Sequence, residues 1–560
     1  MERTQQQHPR PNVILVMTDD QGYGDLGCTG NTLIHTPNID AFHRECTRLT
    51  DFHVSPLCTP TRGALMTGRN PLRNGAWATT WGRSMLRKDE VTMANVFADG
   101  GYQTGMFGKW HLGDNYPYRP QDRGFQTVVA HRGGGVGQTP DFWGNDYFDD
   151  TYRRNGSPEE FQGYCTDIWF DEAMSFIEES KDQPFFCYLA TNAPHAPYLV
   201  ADKYKEPYLD NDRVPNAAFY GMITNIDENM GRLAQKLEEL GIAENTILIF
   251  MTDNGTSGGW SQGKGYNAGM RGTKGSYYEG GHRVPFIMRW PAGGIAAGKD
   301  ICELVTHMDL LPTVIDLCGL ETPTGVEFDG QSIARLLTGE SCELPDRVHF
   351  VQYRQSTHPP EKWDCAVMTR QWRLVAGNEL YDIKADPGQE RNVASDHPDV
   401  VEELRAAHEA WWDEVSPGLC EYCPITIGSD KENPLRLDAF DLMGDVAWNQ
   451  SHVREALKVC GAWAVDVERE GTYEMSVQRW AEEVDLPITA ALAESIAIDP
   501  TKVRLSVGEF DEERDVPGDA KAVTFRVPLD AGITRLEANF IDAEGESYAA
   551  YYVYVKRLTT

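Results

Sequence analysis

A cysteine, a proline and an arginine spaced two residues apart lie within the segment Ser55–Gly63, and this combination is suited to nucleophilic chemistry. They are Cys58, Pro60 and Arg62. Proline fixes one φ angle and lacks an amide donor, so few backbone conformations are open to the segment. If a helix begins near Pro60, Arg62 lies in its first turn, where free amide groups favour an anion. A nucleophile held there would suit attack on an anionic ester, although for Cys58 by itself a buried structural cysteine is the commoner explanation.

Acidic and amide side chains follow two short apolar runs, residues 12–18 and 246–252. These side chains are Asp19, Asp20, Asp253 and Asn254. The two runs have the character of buried parallel strands, and ligands of such sheets bind beyond the C-terminal strand ends. We therefore expect the four side chains to converge. Three carboxylates and one amide suit a hard divalent cation, which takes about six to eight oxygen ligands, whereas a single Asp after a strand is more often a helix cap.

Three further segments carry basic side chains. Residues 105–113 have the character of a compact glycine-rich loop and contain Lys109 and His111. His195 lies between two prolines, where a structural turn histidine is the ordinary explanation, and Lys274 follows a glycine-rich tract. An acidic protein that binds an anionic substrate must build a local cationic pocket against its own field. These residues could supply that pocket.

Taken together, the segments resemble the sulfatase family. Residues 57–63 are similar to its motif Cys-x-Pro-x-Arg in a Leu-Cys-x-Pro-[Ser/Thr]-Arg-Gly setting, and the other segments match in the expected order. The resemblance ends before the region that begins near Pro417. It implies that a formylglycine-generating maturation enzyme oxidises Cys58 to formylglycine, an aldehyde whose hydrate attacks sulfur.

The resemblance also implies roles for the remaining residues. The calcium ligands, with magnesium as the alternative ion, would be Asp19, Asp20, Asp253, Asn254 and the modified Cys58. The catalytic residues would be Cys58, Arg62, Lys109, His111, His195 and Lys274. In this assignment Lys109 and Lys274 bind the sulfate oxygens, and Arg62 binds the formylglycine hydrate. His111 is the base that ejects sulfate, and His195 is the general acid at the leaving-group oxygen.

The expected fold class is α/β. Residues 184–190 have the character of another buried strand, and apolar residues spaced by three and four from Ile223 to Leu240 predict a helix, with Gly241 at its C-cap. Alternating strands and helices predict a mostly parallel sheet covered by helices on both faces. The resemblance makes this an alkaline-phosphatase-like fold.

The length of the chain and its residue pattern predict three structural units. A chain of 560 residues exceeds the size of one core. We expect a catalytic α/β unit over 1–340, a small antiparallel α+β subdomain over 341–420 and an accessory β-sandwich over 421–560. The last unit is predicted from alternating apolar and polar residues at 463–467, 473–477, 523–527 and 551–555.

Charge and composition exclude some partners. Lys plus Arg number 51 against 85 Asp plus Glu, a net charge of −34, which argues against nucleic acid or an anionic membrane. The segment Met1–Arg10 lacks the apolar core of a secretion signal. The chain is expected to be cytoplasmic as given, or periplasmic or secreted if a signal was removed. A homo-oligomer is compatible with the sequence. Twelve scattered cysteines do not form a disulfide framework.

The predicted activity is hydrolysis of a sulfate monoester of an aryl or carbohydrate alcohol. One alternative is a phosphonate monoester or phosphodiester hydrolase of the same superfamily. Another is a non-catalytic protein that binds sulfated glycans. Aromatic residues that would either line the substrate pocket or belong to the core are Trp77, Trp81, Trp143 and Tyr147.

Overall fold

A ten-stranded sheet forms the centre of the N-terminal part of the protein. The computed structural model describes residues 10–295, 298–341 and 343–558, so the N-terminal stretch considered for a signal lies outside it up to residue 9. The strands of this part are, in chain order, β1 (Asn12–Thr18), β2 (Thr47–Leu49), β3 (Phe52–His53), β4 (Gln103–Lys109), β5 (Thr127–His131), β6 (Thr151–Arg154), β7 (Ser157–Glu160), β8 (Phe185–Ala190), β9 (Thr246–Thr252), β10 (Trp260–Ser261), β11 (Lys264–Gly265), β12 (Phe286–Arg289), β13 (Asp300–Ile301) and β14 (Val305–Thr306).

The sheet has the order β13-β2-β12-β9-β1-β8-β4-β5-β6-β7, and its five central strands, β9 to β5, run parallel. Alternate residues of β1 pack into two separate cores. Val13 and Leu15 contribute to one, Ile14 and Val16 to the other. This explains why the strand is apolar throughout and confirms the predicted mostly parallel α/β fold.

Helices cover both faces of this sheet. They are α1 (Pro37–Glu45), α2 (Cys58–Thr67), α3 (Pro71–Asn74), α4 (Met93–Asp99), α5 (Cys165–Ser180), α6 (Asp202–Leu209), α7 (Ala217–Glu239), α8 (Glu279–His282), α9 (Leu310–Cys318) and α10 (Ala334–Leu337). The helix predicted around Ile223 is α7, and Gly241 follows it with a φ of 69°, as a C-terminal glycine should. Among the described residues, no helix is both long and apolar enough to cross a bilayer.

The loop predicted over residues 105–113 is wrong in its first half, because residues 103–109 form strand β4. Its glycines meet tight packing inside the sheet. A Cβ atom on Gly105 would lie 2.9 Å from the ring of Phe176, and one on Gly108 would lie 2.0 Å from the carbonyl oxygen of Ala190. Glycine here permits close approach of neighbouring groups. Lys109 is consequently the last residue of a central strand.

The C-terminal part contains three antiparallel-rich sheets. The four-stranded sheet comprises β15 (His349–Gln352), β16 (Cys365–Met368), β17 (Trp372–Val375) and β18 (Glu379–Asp382), followed by helix α11 (Pro398–Val415). Beyond it come β19 (Ile425–Ile427), β20 (Leu435–Asp438), β21 (Met443–Gly444), helix α12 (Gln450–Arg454), β22 (Gly461–Val467), β23 (Gly471–Gln478), β24 (Lys502–Val507), β25 (Phe510–Asp515), β26 (Val523–Leu529), β27 (Gly532–Ile541), β28 (Ser547–Ala549) and β29 (Tyr552–Arg557). These strands form two sheets that enclose one apolar core, as the predicted sandwich requires.

Candidate active site

The acidic residues converge where β1 and β9 end side by side. Thr18 lies opposite Thr252 in this parallel pair. The amide of Asp253 donates to the carbonyl oxygen of Thr18 at 3.1 Å, and the amide of Asp20 donates to Oδ1 of Asp253 at 3.0 Å. Oxygens of Asp19, Asp20 and Asp253 lie within 4.8 Å of one another. The sheet therefore brings together the carboxylates that the sequence pattern predicted.

Each of these carboxylates faces a cation. Nζ of Lys109 lies 2.5 Å from Asp19, and Nζ of Lys274 lies 2.5 Å from Asp20. Arg62 donates to Oδ2 of Asp253 from Nε at 3.2 Å and from Nη2 at 2.9 Å. It also donates from Nη1 to the carbonyl oxygen of Lys109 at 2.9 Å. Pairing of this kind is what permits charged side chains to be buried.

Burial and neighbouring charges shift the two strand-end carboxyls in opposite directions. Burial, reinforced by Asp19 and opposed by Arg62, raises the pKa of Asp253 to about 7. Burial would also raise the pKa of Asp20, but Lys274, His195 and Lys109 hold it well below its ordinary value. The site therefore favours negative charge more strongly at Asp20 than at Asp253.

Buried side-chain oxygens without a hydrogen-bond partner among the described residues include Oδ1 of Asp19, which lies 3.9 Å from Nη2 of Arg62, and Oδ1 of Asn254. Buried polar atoms are normally paired, so unpaired oxygens beside carboxylates need an explanation. The amide nitrogen of Asn254 already donates to Asp20 and to the carbonyl of Gly255, each at 3.0 Å. Three carboxylates and a free amide oxygen form a donor set that fits a hard divalent cation.

Cys58 is the first residue of α2, a helix whose residues are all buried. Its Sγ lies 3.4 Å from Nδ1 of His111. Burial raises the pKa of the thiol, although Lys109 and Lys274 oppose the shift. An unmodified Cys58 is consequently held as the protonated thiol, which is a poor nucleophile compared with a thiolate.

The contacts of His111 determine which of its nitrogens can accept a proton. Nε2 lies 2.9 Å from the carbonyl oxygen of Thr79, which can only accept, so Nε2 carries the hydrogen. Burial, followed by Lys109, holds the pKa of His111 well below its ordinary value. The neutral ring therefore presents the lone pair of Nδ1 toward Cys58, as a general base must.

His195 lies at the more open side of the carboxylates. Its Nε2 is 3.8 Å from Oδ2 of Asp20, and its Nδ1 is 2.6 Å from the carbonyl oxygen of Ala196. The hydroxyl of Tyr147 donates to the His195 carbonyl oxygen at 2.9 Å. Burial lowers the pKa of His195 to about 4, against the opposing effect of Asp20. Nε2 is the nitrogen free to exchange a proton.

The C-terminal sandwich reaches this site through residues that the sequence analysis did not identify. A Cβ atom on Gly134 would lie 2.3 Å from Cε1 of His111, so the glycine loop packs directly on the imidazole. The amide of Gly134 donates to Oε1 of Gln138 at 2.7 Å, and Gln450 donates to the Gln138 carbonyl at 3.2 Å. The ring of Phe440 lies 6.0 Å from that of His111. Nothing in the local sequence signals Phe440 or Gln450.

The four aromatic candidates divide between core and site. Trp77 is buried in a small apolar cluster that also contacts Trp81. Trp143 packs edge-on against Trp480 of the sandwich, with ring centroids 5.3 Å apart. Tyr147 is buried and contacts the site through its hydroxyl group. The core interpretation therefore applies to Trp77 and Trp143.

Comparisons with known proteins identify similar sequences and a similar fold. A family model described as Sulfatase matches residues 11–320, and one described as N-sulphoglucosamine sulphohydrolase, C-terminal, matches residues 273–410. The chain is 33% identical to Arylsulfatase A of Homo sapiens, over 70% of this chain and 86% of the relative. It is also 33% identical to an Arylsulfatase of Hemicentrotus pulcherrimus, over 59% of this chain and 62% of the relative. The crystal structure of Ps i-CgsB in complex with k-i-k-neocarrahexaose superimposes with a TM-score of 0.65 at 28% identity, covering 72% of this chain and 93% of the other.

Proposed function

The chain belongs to the sulfatase family, and we propose that it hydrolyses a sulfate monoester by means of a formylglycine at position 58 and a bound calcium ion. The observation that carries this proposal is the convergence of Cys58, its neighbouring base and three cation–carboxylate pairs at the ends of β1 and β9. Such a site suits an anionic ester, because charge develops on oxygens that preorganised cations surround.

Formylglycine at position 58 supplies, as its hydrate, an oxygen nucleophile where the protonated thiol would be unreactive. Two features of the chain support its placement there. Cys58 begins α2, so the positive end of the helix dipole favours an anion beside it. Nδ1 of His111 lies 3.4 Å from the side chain and is available to accept a proton. We propose that a formylglycine-generating enzyme carries out this maturation.

Calcium would be held by Asp19, Asp20, Asp253 and Asn254, and would supply positive charge beside the bound sulfate. The oxygens of Asp19 and Asn254 that make no hydrogen bond among the described residues support this assignment. Calcium is proposed in preference to magnesium because a cluster of carboxylate and amide oxygens suits the larger ion. Lys109 and Lys274 each pair with one of these carboxylates, and we propose that both lysines also contact the sulfate oxygens.

His195 is proposed to protonate the leaving alcohol through Nε2 as the imidazolium, the form that Asp20, 3.8 Å from Nε2, favours. Its side chain is 19% exposed, more than the fully buried Lys109, so it lies on the side from which an alcohol could leave. A sulfated saccharide is the proposed substrate class. This is supported by the relative whose crystal structure contains a neocarrahexaose and by the N-acetylgalactosamine-6-sulfatase of Homo sapiens, which is 30% identical to this chain.

The test compares the hydrolysis of two activated esters by protein that is co-expressed with a formylglycine-generating enzyme. We expect a higher kcat/KM for 4-nitrophenyl sulfate than for a 4-nitrophenyl phosphonate ester. Cys58→Ala should lose turnover while keeping its circular dichroism spectrum, because the change removes the nucleophile and little packing. A clear preference for the phosphonate, or undiminished turnover by Cys58→Ala, would contradict the proposal.

A further inference from the structure

A cationic groove lies between the catalytic unit and the C-terminal sandwich. Its volume is about 660 Å³. The charged side chains that line it are five cations and three carboxylates, namely Arg119, Arg132, Arg153, Lys431, Arg436, Glu432, Glu482 and Glu483. The whole chain carries a net charge of −34, so an excess of positive charge in one groove runs against the field of the protein. Local charge of this kind attracts anions.

The carboxylates of the groove do not neutralise all of its cations. Arg119 pairs with Asp122 at 2.6 Å, and Arg132 pairs with Glu432 at 3.3 Å. Arg153 has no carboxylate within ion-pair distance among the described residues, and its guanidinium donates only to the carbonyl oxygen of Gly156, at 2.9 Å. Lys431 is exposed and likewise has no ion-pair partner in that part of the chain. Two cations therefore remain available to a ligand.

A third cation of the groove, Arg436, is largely buried and already lies near carboxylates. Its Nε makes no hydrogen bond among the described residues but lies 3.8 Å from Oδ2 of Asp438, and its Nη1 lies 3.7 Å from Oε1 of Glu483. Arg132 chiefly, with burial and Arg436, lowers the pKa of Arg153 to about 9. The fold holds these guanidinium groups closer together than their mutual repulsion favours, and an anion between them would relieve that repulsion.

One loop borders both this groove and the active site. Arg132 begins the loop, Gly134 packs on His111, and a Cβ atom on Gly135 would lie 3.6 Å from Nδ1 of His195. Two residues lie between Arg132 and Gly135, so their Cα atoms are at most about 11 Å apart. The same loop therefore has one end at the groove and the other beside the two active-site histidines.

We propose that the groove formed by Arg132, Arg153, Lys431 and Arg436 binds a second anionic group on a multiply sulfated saccharide whose reacting ester lies at Cys58. This inference rests on the proposed sulfatase activity for the identity of the reacting group. Planar guanidinium groups bind tetrahedral oxyanions through paired N–H donors, and exposed lysine adds a point charge. The C-terminal sandwich, which contributes Lys431 and Arg436, is then part of the substrate-binding surface.

The experiment measures binding and turnover separately. Calorimetry at low salt gives the Kd for dextran sulfate, with uncharged dextran as the negative control. Hydrolysis of 4-nitrophenyl sulfate, which is too small to reach the groove, reports on the catalytic site alone. We expect Arg153→Ala/Lys431→Ala to raise the Kd for dextran sulfate about tenfold, or about 1.4 kcal/mol, with kcat/KM for 4-nitrophenyl sulfate unchanged. The matched control is Arg535→Ala/Lys384→Ala, which removes the same charges from exposed positions elsewhere and should bind like the wild type.

Equal Kd values for the groove variant and the wild type would overturn the inference, as would equal weakening by the control variant. If Arg153→Ala lowers the melting temperature, the exposed single change Lys431→Glu should still weaken binding, and its failure to do so would also count against the groove. Absence of 4-nitrophenyl sulfate hydrolysis in the wild type would contradict the proposed function instead, and the dextran sulfate result would then test the groove independently.

Discussion

Gly134→Ala should impair catalysis because the new methyl group would occupy the space of the His111 ring. The Cβ atom would lie 2.3 Å from Cε1, 2.6 Å from Nε2 and 2.9 Å from Nδ1. An ordinary contact needs about 3.4 Å, so the ring must move by about 1 Å. A misplacement of that size costs about 100-fold in rate, or about 2.7 kcal/mol of transition-state stabilisation. Overpacking should also lower the free energy of unfolding by about 1–3 kcal/mol.

Gly135→Ala provides the matched control in the same loop. Its Cβ atom would meet its nearest neighbours, Gln138 and His195, at 3.4 Å and 3.6 Å, and neither glycine has a left-handed φ. The assay is kcat for 4-nitrophenyl sulfate, with the melting temperature measured in parallel. We expect Gly135→Ala to stay within about threefold of the wild type. Equal kcat values for Gly134→Ala and the wild type, or equal losses in the two variants, would refute the reasoning.

Three further predictions concern the metal, pH and the sandwich. Calcium at about 100 times its Kd should stabilise the wild type by about 2.7 kcal/mol, seen as a rise in melting temperature, and Asn254→Ala should reduce this response. Burial lowers the pKa of His307 to about 3, so between about pH 6.5 and 3 the unfolded chain binds a proton that the native state does not. Stability should fall there by about 1.4 kcal/mol per unit of decreasing pH for this residue, and His307→Gln should flatten the melting temperature–pH curve. Gln450→Ala should lower kcat for 4-nitrophenyl sulfate several-fold by releasing Gln138, and an unchanged kcat would contradict the role given to the sandwich.

The elements that position the carboxylates could be predicted because their patterns are local. The apolar runs before Asp19 and Asp253 are strands β1 and β9, and the parallel pairing that joins their ends follows from the alternation of strands and helices. The helical spacing from Ile223 was equally informative. In each case a short stretch of sequence is enough to predict the type of element. For the two strands it also predicts the edge of the sheet at which the acidic side chains lie.

Predictions failed where packing between distant segments decides the structure. Gly105 and Gly108 suggested a loop, but they lie in β4. Phe176 and the Ala190 carbonyl approach these positions too closely for a side chain. The contacts of the sandwich with the active-site loop, through Gln450 and Phe440, join residues about 300 positions apart in the chain. No local periodicity encodes such contacts. The cationic groove was hidden for the same reason, since its arginines come from distant segments of the chain.

Peptide mass spectrometry across Cys58 tests the central claim most directly. The measurement is made on several preparations with different amounts of formylglycine-generating enzyme, each assayed with 4-nitrophenyl sulfate. The account predicts an aldehyde or its hydrate at position 58, with kcat proportional to the converted fraction. A free thiol at Cys58 in fully active protein, or an activity independent of conversion, would contradict it.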